Sequence, residues 1–269
     1  MMKKSILLAA LTLLISASAA QARDICTVLA DARSGKVLLQ DGDCESRVTP
    51  ASTFKLALAV IGFDAGVLTD AHAPVLPFKK GYADWGGDAW RQPIDPTSWM
   101  KHSVVWYSQR MAETLGRARL EDYAKRFAYG NADFSGDPGK DNGLERAWIS
   151  SSLKISPLEQ TAFLQRLLSG KLPIRPDVLD KTRSVVESAN VGGWQVSGKT
   201  GSAYPRNADG SLNRAAGWGW YVGWAEKGDA TLVFARLAQD EKRHTTSGGI
   251  RTKDALMRDW PALAARIGR

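Results

Sequence analysis

The stretch Pro50-Ala51-Ser52-Thr53-Phe54-Lys55-Leu56-Ala57-Leu58-Ala59-Val60 sets a serine and a lysine three residues apart at the head of an apolar run. In a helix, positions i and i+3 lie on one face, so the Ser52 hydroxyl and the Lys55 amine come within reach of each other without tertiary help. Ser52, Lys55, Leu56, Ala59 and Phe63 then share one stripe, which predicts a helix facing the core with its polar head turned inward. Such a pair is a candidate nucleophile with a base beside it. The plain alternative is an N-cap serine and a solvated lysine. Against it stand Phe54, Leu56, Leu58 and Val60, because a lysine among apolar side chains costs free energy unless it is neutralised or paired.

Upstream of this stretch, Thr27-Val28-Leu29-Ala30, Asp31-Ala32-Arg33-Ser34-Gly35 and Lys36-Val37-Leu38-Leu39-Gln40 read as strand, turn and strand. Both cysteines of the chain, Cys26 and Cys44, flank that hairpin, which would bring them opposite each other. A disulfide between them is expected if the chain is exported, and it would contribute about 3 kcal/mol in chain-entropy terms. Two cysteines and three scattered histidines make no zinc ligand set.

Export is what the first residues predict. Lys3 and Lys4 precede an apolar segment over 5–15 and small residues ending in Ala20-Gln21-Ala22, the pattern of a secretory leader over 1–22 cleaved after Ala22. The apolar stretch is short for a membrane span. The expected mature chain, 23–269, is therefore periplasmic and without a membrane anchor, and it is long enough for one large catalytic domain. Its formal charge falls from +8 to +6 once Lys3 and Lys4 are removed, with no concentrated basic tract, which argues against nucleic-acid binding.

Downstream, residues 72–96 are rich in Pro, Gly and Trp and read as a long structured loop. Helices are expected over about 98–115 and 120–127, the second closed by Tyr129-Gly130-Asn131. Ser156-Pro157-Leu158-Glu159 combines an N-cap, a proline at N1 and a glutamate at N3, which starts a helix over 158–168. Residues 195–204, 217–225 and 231–239 read as three strands, and a last helix runs over about 249–266. Strands at both ends and helices between them predict an α+β fold. An antiparallel sheet from about 24–50 and 190–269 would be flanked by helices, with an inserted helical part over about 51–189.

Spacing alone does not choose the nucleophile, because Ser151-Ser152-Leu153-Lys154 repeats it. Pro157 follows that copy closely, so it sits in a connection before a helix, whereas Ser52 heads one. Further along, Lys199-Thr200-Gly201 lies inside a strand with Gly198 and Gly201 on either side of Lys-Thr, allowing close approach to the strand backbone. The plain alternative is a lysine protecting an edge strand. Ser103-Val104-Val105, early in the helix expected over 98–115, offers a second hydroxyl, although a serine there is commonly a cap.

Together, Ser52-x-x-Lys55, Ser103-x-Val105 and Lys199-Thr200-Gly201, in that order, resemble the penicillin-recognising serine enzymes. Valine third in the second element, Tyr129-Gly130-Asn131 and Trp148 after the glycine-rich segment make the chain similar to the class D, oxacillinase-type β-lactamases over essentially its whole mature length. The resemblance implies a hydrolase that opens the β-lactam amide through a Ser52 acyl-enzyme and so confers β-lactam resistance. It implies that CO2 or bicarbonate carboxylates Lys55 to the general base, that Trp148 hydrogen-bonds the resulting carbamate, and that Val105 covers it. It assigns a proton relay to Ser103 with Lys199 beside it, an oxyanion hole to the backbone N–H groups of Ser52 and Ser202, and the substrate carboxylate to Thr200, Gly201 and Arg251. Monomers and homodimers both occur in the class. Ser202, where many members carry an aromatic or aliphatic residue, is a departure that bears on substrate preference.

Two rivals remain: a β-lactam-binding sensor on the same fold that acylates without deacylating, and a peptidoglycan D,D-peptidase, another enzyme using Ser-x-x-Lys, whose usual Ser-x-Asn element is absent here. A Ser-His-Asp hydrolase is poorer still, since His72, His102 and His244 lie in no triad context.

Overall fold

The hairpin at the start of the chain forms as its residues predict. In the computed structural model, which describes residues 22–269, β1 (Arg23–Asp31) turns through Ala32–Gly35 into β2 (Val37–Gly42). The turn is held by the Asp31 carboxylate, which accepts from the Ser34 amide at 2.7 Å. Cys26 and Cys44 are joined in a disulfide. They are not opposite each other in the ladder, however. Cys26 faces Gly42, and the chain leaves the strand at Gly42 before Cys44 folds back. All but Ala22 of the leader expected over 1–22 lies outside the described residues.

A 3-10 turn over Ala51–Thr53 leads into α1 (Phe54–Asp64). Every residue of α1 from Phe54 to Phe63 is buried, so the helix is enclosed on all sides rather than along the one stripe expected. That follows from a composition without a polar face: Lys55 is the only charged residue before Asp64. The helix expected over 98–115 is two helices, α2 (Pro96–Lys101) and α3 (Val105–Leu115). Ser103 lies between them with φ +57°, a left-handed conformation that ends α2 and cannot continue a helix. The long loop before α2 is fastened by indoles: Trp90 donates to the His102 carbonyl and Trp106 to the Trp90 carbonyl, each at 2.8 Å.

There follow α4 (Arg117–Arg126), the short α5 (Gly143–Arg146), α6 (Pro157–Leu168) and α7 (Val178–Val185). At the start of α6 the capping box is complete: the Ser156 hydroxyl accepts from the Glu159 amide and the Glu159 carboxylate from the Ser156 amide. The chain then returns to the sheet as β3 (Ser188–Val191), β4 (Trp194–Ala203), β5 (Trp218–Lys227) and β6 (Ala230–Gln239), and ends in α8 (Gly248–Arg266).

The six strands form one antiparallel sheet in the order β2-β1-β6-β5-β4-β3. One face carries α8, with Trp260, Leu256 and Leu263 against Trp194, Tyr221 and Phe234. The other face carries α1 and the helical part, in the larger core built around Phe54, Trp148, Trp220 and Trp224. β3 pairs with β4 only as far as Ser197, so from Gly198 to Ala203 the outer edge of β4 has no strand beside it among the described residues.

Candidate active site

The free edge of β4 and the turn before α1 meet at Gly201. A Cβ there would stand 2.8 Å from the Pro50 carbonyl oxygen and 3.1 Å from the Thr53 nitrogen, so the strand backbone lies directly against the turn that carries Ser52. Only glycine allows that approach, and it brings Lys199-Thr200-Gly201-Ser202 beside Ser52 from 150 residues away in the chain.

Within the turn, Lys55 Nζ lies 3.3 Å from Ser52 Oγ, as the spacing predicted. Ser52 is half-buried and Lys55 is 1% exposed. Full burial drives the Lys55 amine well below its ordinary value, and the positive charge of Lys199 pushes it further the same way. Both effects favour the neutral, nucleophilic form of this amine over the ammonium. Lys199 is itself 5% exposed; burial lowers it to about 8, with Glu187 opposing and Lys253 assisting. Its ammonium donates to the Thr200 carbonyl at 3.1 Å. Ser202 is exposed, and its hydroxyl accepts from the Gly249 amide at the start of α8, 2.8 Å away.

Trp148 is 1% exposed, its ring centroid 5.4 Å from that of Phe54, the residue preceding Lys55. Its indole Nε1 is buried and finds no acceptor among the described residues. A buried donor without a partner is costly and calls for an acceptor. An anionic group on Lys55, the residue after the Phe54 that packs on this indole, would supply one, so the residues present fit a carboxylated lysine. Val105, at the head of α3, is buried, and Ser103 sits at the strained turn ahead of it.

Arg251 stands apart from this group. Its guanidinium is engaged by the Asp240 carboxylate and the Thr246 carbonyl. The duplicate Ser151-x-x-Lys154 has no catalytic geometry: Ser151 donates to Asp137 at 2.6 Å and Lys154 is exposed. His72, at 2.8 Å from Asp95, supports the carboxylate that caps α2.

Two supports behind the site were not foreseen. The Tyr129 hydroxyl donates to Gln160, whose amide donates to Thr53 at 2.8 Å, and Thr53 in turn donates to the Pro50 carbonyl. This buried chain braces the turn that carries Ser52 from α6. The second support links Thr49 with Trp148 and Ser150. Tyr129-Gly130-Asn131 was visible as a motif, but its part is structural: Asn131 ties the turn to residues 152–154 through its amide and side chain.

Residues 25–260 match the family described as penicillin binding protein transpeptidase domain. The chain is 40% identical over 239 residues to beta-lactamase OXA-9 of Klebsiella pneumoniae, covering 88% of this chain and 87% of that one. It is 31% identical over 200 residues to the regulatory protein BlaR1 of Bacillus licheniformis, covering 74% of this chain but 30% of that one. Among solved structures, the OXA-427 class D beta-lactamase superposes with a TM-score of 0.83 at 45% identity, covering 90% of this chain and 99% of the other.

Proposed function

The chain belongs to the class D β-lactamases, within the penicillin-binding-protein transpeptidase family, and from that premise we propose how its residues divide the hydrolysis of the β-lactam amide between them. Ser52 is the nucleophile: its Oγ bonds to the lactam carbonyl carbon as its proton passes to the base, giving an acyl-enzyme once the C–N bond breaks. Lys55 is the base in its carboxylated form. The neutral amine bonds CO2 and releases one proton, and the carbamate supplies an anionic acceptor for the proton of Ser52 and later for that of the hydrolytic water. The observation that carries this reading is the pairing of the buried Lys55, 3.3 Å from Ser52, with the unpartnered indole N–H of Trp148. An indole has one donor and no acceptor, which suits an anion.

Ser103 returns a proton to the departing lactam nitrogen, its hydroxyl polarised by the ammonium of Lys199. The backbone N–H groups of Ser52 and Ser202 bind the oxyanion, a contribution of about 3 kcal/mol for each donor in comparable sites. Thr200, Gly201 and Lys199 receive the substrate carboxylate at the open edge of β4. Arg251 joins them by exchanging Asp240 for the substrate, both being carboxylates that its fork can hold. Val105 closes over the carboxylated lysine and limits water. The product leaves into the periplasm, where the leader over 1–22 directs the chain, and among the described residues no helix is long and apolar enough to cross a membrane.

Turnover distinguishes hydrolysis through this machinery from stoichiometric acylation of the sensor type. Purified mature protein is expected to hydrolyse benzylpenicillin and oxacillin over many turnovers, faster with added bicarbonate. A burst of one acylation per molecule without turnover in bicarbonate would favour the sensor reading. Turnover indifferent to bicarbonate, even after CO2 is removed, would leave Lys55 acting as a free amine and overturn the carbamate.

A further inference from the structure

Thr49 is buried, three residues ahead of Ser52, and its hydroxyl is used twice. It donates to the Trp148 carbonyl at 2.9 Å and accepts from the Ser150 amide at 3.1 Å, so it spans the Trp148-Ile149-Ser150 segment from both ends. Its own carbonyl accepts from the Trp220 indole at 2.9 Å, which anchors it to β5. Ser150 is held in the left-handed region at φ +56°, with its hydroxyl accepting from the Tyr204 amide at 3.0 Å and its carbonyl from Arg206 at 2.9 Å. A non-glycine residue in that conformation persists only where its surroundings over-determine it. The bonds to Thr49 are the ones that connect this strained segment to the nucleophile turn.

We propose that Thr49 is a positioning residue for Trp148: its hydroxyl fixes the backbone from which the indole N–H is aimed, and so sets how tightly the carboxyl group on Lys55 is retained. The proposal rests on the reading of Lys55 as a carbamate. Packing against Phe54 restrains the plane of the Trp148 ring. The peptide that follows Trp148 is held at its two ends, its N–H donating to the Arg146 carbonyl at 2.7 Å and its carbonyl accepting from Thr49. Without the hydroxyl, a buried carbonyl and a buried amide lose their partner together, and the strained segment relaxes by tilting that peptide about its remaining bond to the Arg146 carbonyl. The indole donor then turns away from Lys55.

Four proteins test this: the natural chain, Thr49→Val, which keeps the shape and removes the hydroxyl, Thr49→Ser, which keeps the hydroxyl, and Trp148→Ala. For each, the bicarbonate concentration giving half-maximal penicillin turnover is measured, together with the carbamate resonance in carbon-13 NMR of protein in labelled bicarbonate. Thr49→Val should need about fivefold more bicarbonate, the equilibrium equivalent of one hydrogen bond, and show a weaker resonance. Thr49→Ser should stay close to the natural chain, and Trp148→Ala should be shifted at least as far as Thr49→Val. Thermal unfolding confirms that each variant is folded at the assay temperature, and Thr49→Ala provides the same comparison if valine is not accommodated. If Trp148→Ala is shifted and the folded hydroxyl-free variant matches the natural chain, Thr49 has only a scaffolding role and the proposal fails. If the natural chain shows no carbamate resonance and neither it nor Trp148→Ala responds to bicarbonate, the reading of Lys55 fails first and takes the proposal with it.

Discussion

Two lysines share the floor of this site, and burial acts on them to different degrees. Lys55, wholly buried and facing the charge of Lys199, is driven well below its ordinary value, which favours the neutral form, the one able to bind CO2. Lys199 is lowered to about 8, against an ordinary value of about 10.4, so it keeps its charge at neutral pH and loses it at mildly alkaline pH. The sign for stability follows from the same shift. Below about 8 the folded state must bury an ammonium, at a cost that fades as pH rises from about 8 towards the unfolded value. For binding the proposed role of Lys199 sets the opposite direction, since an ammonium attracts a substrate carboxylate only while it is protonated. KM for benzylpenicillin should therefore rise as pH passes upward through about 8, and Lys199→Arg, which cannot lose its charge there, should flatten that rise. KM profiles of the two proteins on either side of that pH check it; a natural-chain KM that stays level would show that Lys199 does not hold the carboxylate.

At the scale of elements, the site is made where β4 touches the turn before α1, and Gly201 is the point of contact. In Gly201→Ala the new methyl would lie 2.8 Å from the Pro50 carbonyl oxygen, so strand and turn must separate by a few tenths of an ångström. Because the carbonyl bound at the strand must meet Ser52 squarely, kcat/KM should fall about tenfold or more, with a smaller effect on thermal stability. Steady-state kinetics and an unfolding curve on one preparation decide it, and unchanged kcat/KM would mean that the contact has slack. That contact was half legible in the sequence: glycine beside Lys-Thr signalled a close approach, but not what approaches. The long strands β4, β5 and β6 were readable because each runs for ten residues in which apolar, aromatic, β-branched and small side chains predominate. β3 was not, since Ser188-Ala189-Asn190-Val191 is short, exposed and poor in such residues. The break at Ser103 was hidden for another reason. His102-Ser103-Val104 contains no glycine or proline, and the left-handed turn is imposed by Trp90 on the His102 carbonyl and by the burial of Val104. Thr49 was invisible as a functional candidate because its partners lie about 100 residues away.

Over the whole molecule, the proposed catalytic edge and the disulfide lie in opposite halves of one sheet. β1 carries Cys26, and β6 and β5 separate it from β4, about 14 Å at ordinary strand spacing. Along the chain the distance is much shorter, since Cys44 precedes Ser52 by only eight residues. The path between them, however, is fastened independently of the bridge. The Leu158 amide donates to the Cys44 carbonyl, Arg47 pairs with Glu159, Val48 and Ile155 exchange backbone hydrogen bonds, and Thr49 is held at Trp148 and Trp220. Opening the bridge should therefore act on the unfolded chain more than on the site. With the cysteines 18 positions apart in sequence, its loss should cost about 3 kcal/mol, or a fall in Tm of about 6–12 °C for a domain of this size. At 25 °C the reduced enzyme should keep its kcat on benzylpenicillin, because the folded state remains dominant there and its nucleophile turn is held by other bonds. Calorimetry with and without reductant, paired with turnover at 25 °C, separates the two effects. A reduced enzyme that unfolds near the original temperature but has lost kcat would show that strain at the sheet edge reaches Ser52, and that the fastenings between residues 44 and 49 do not isolate it.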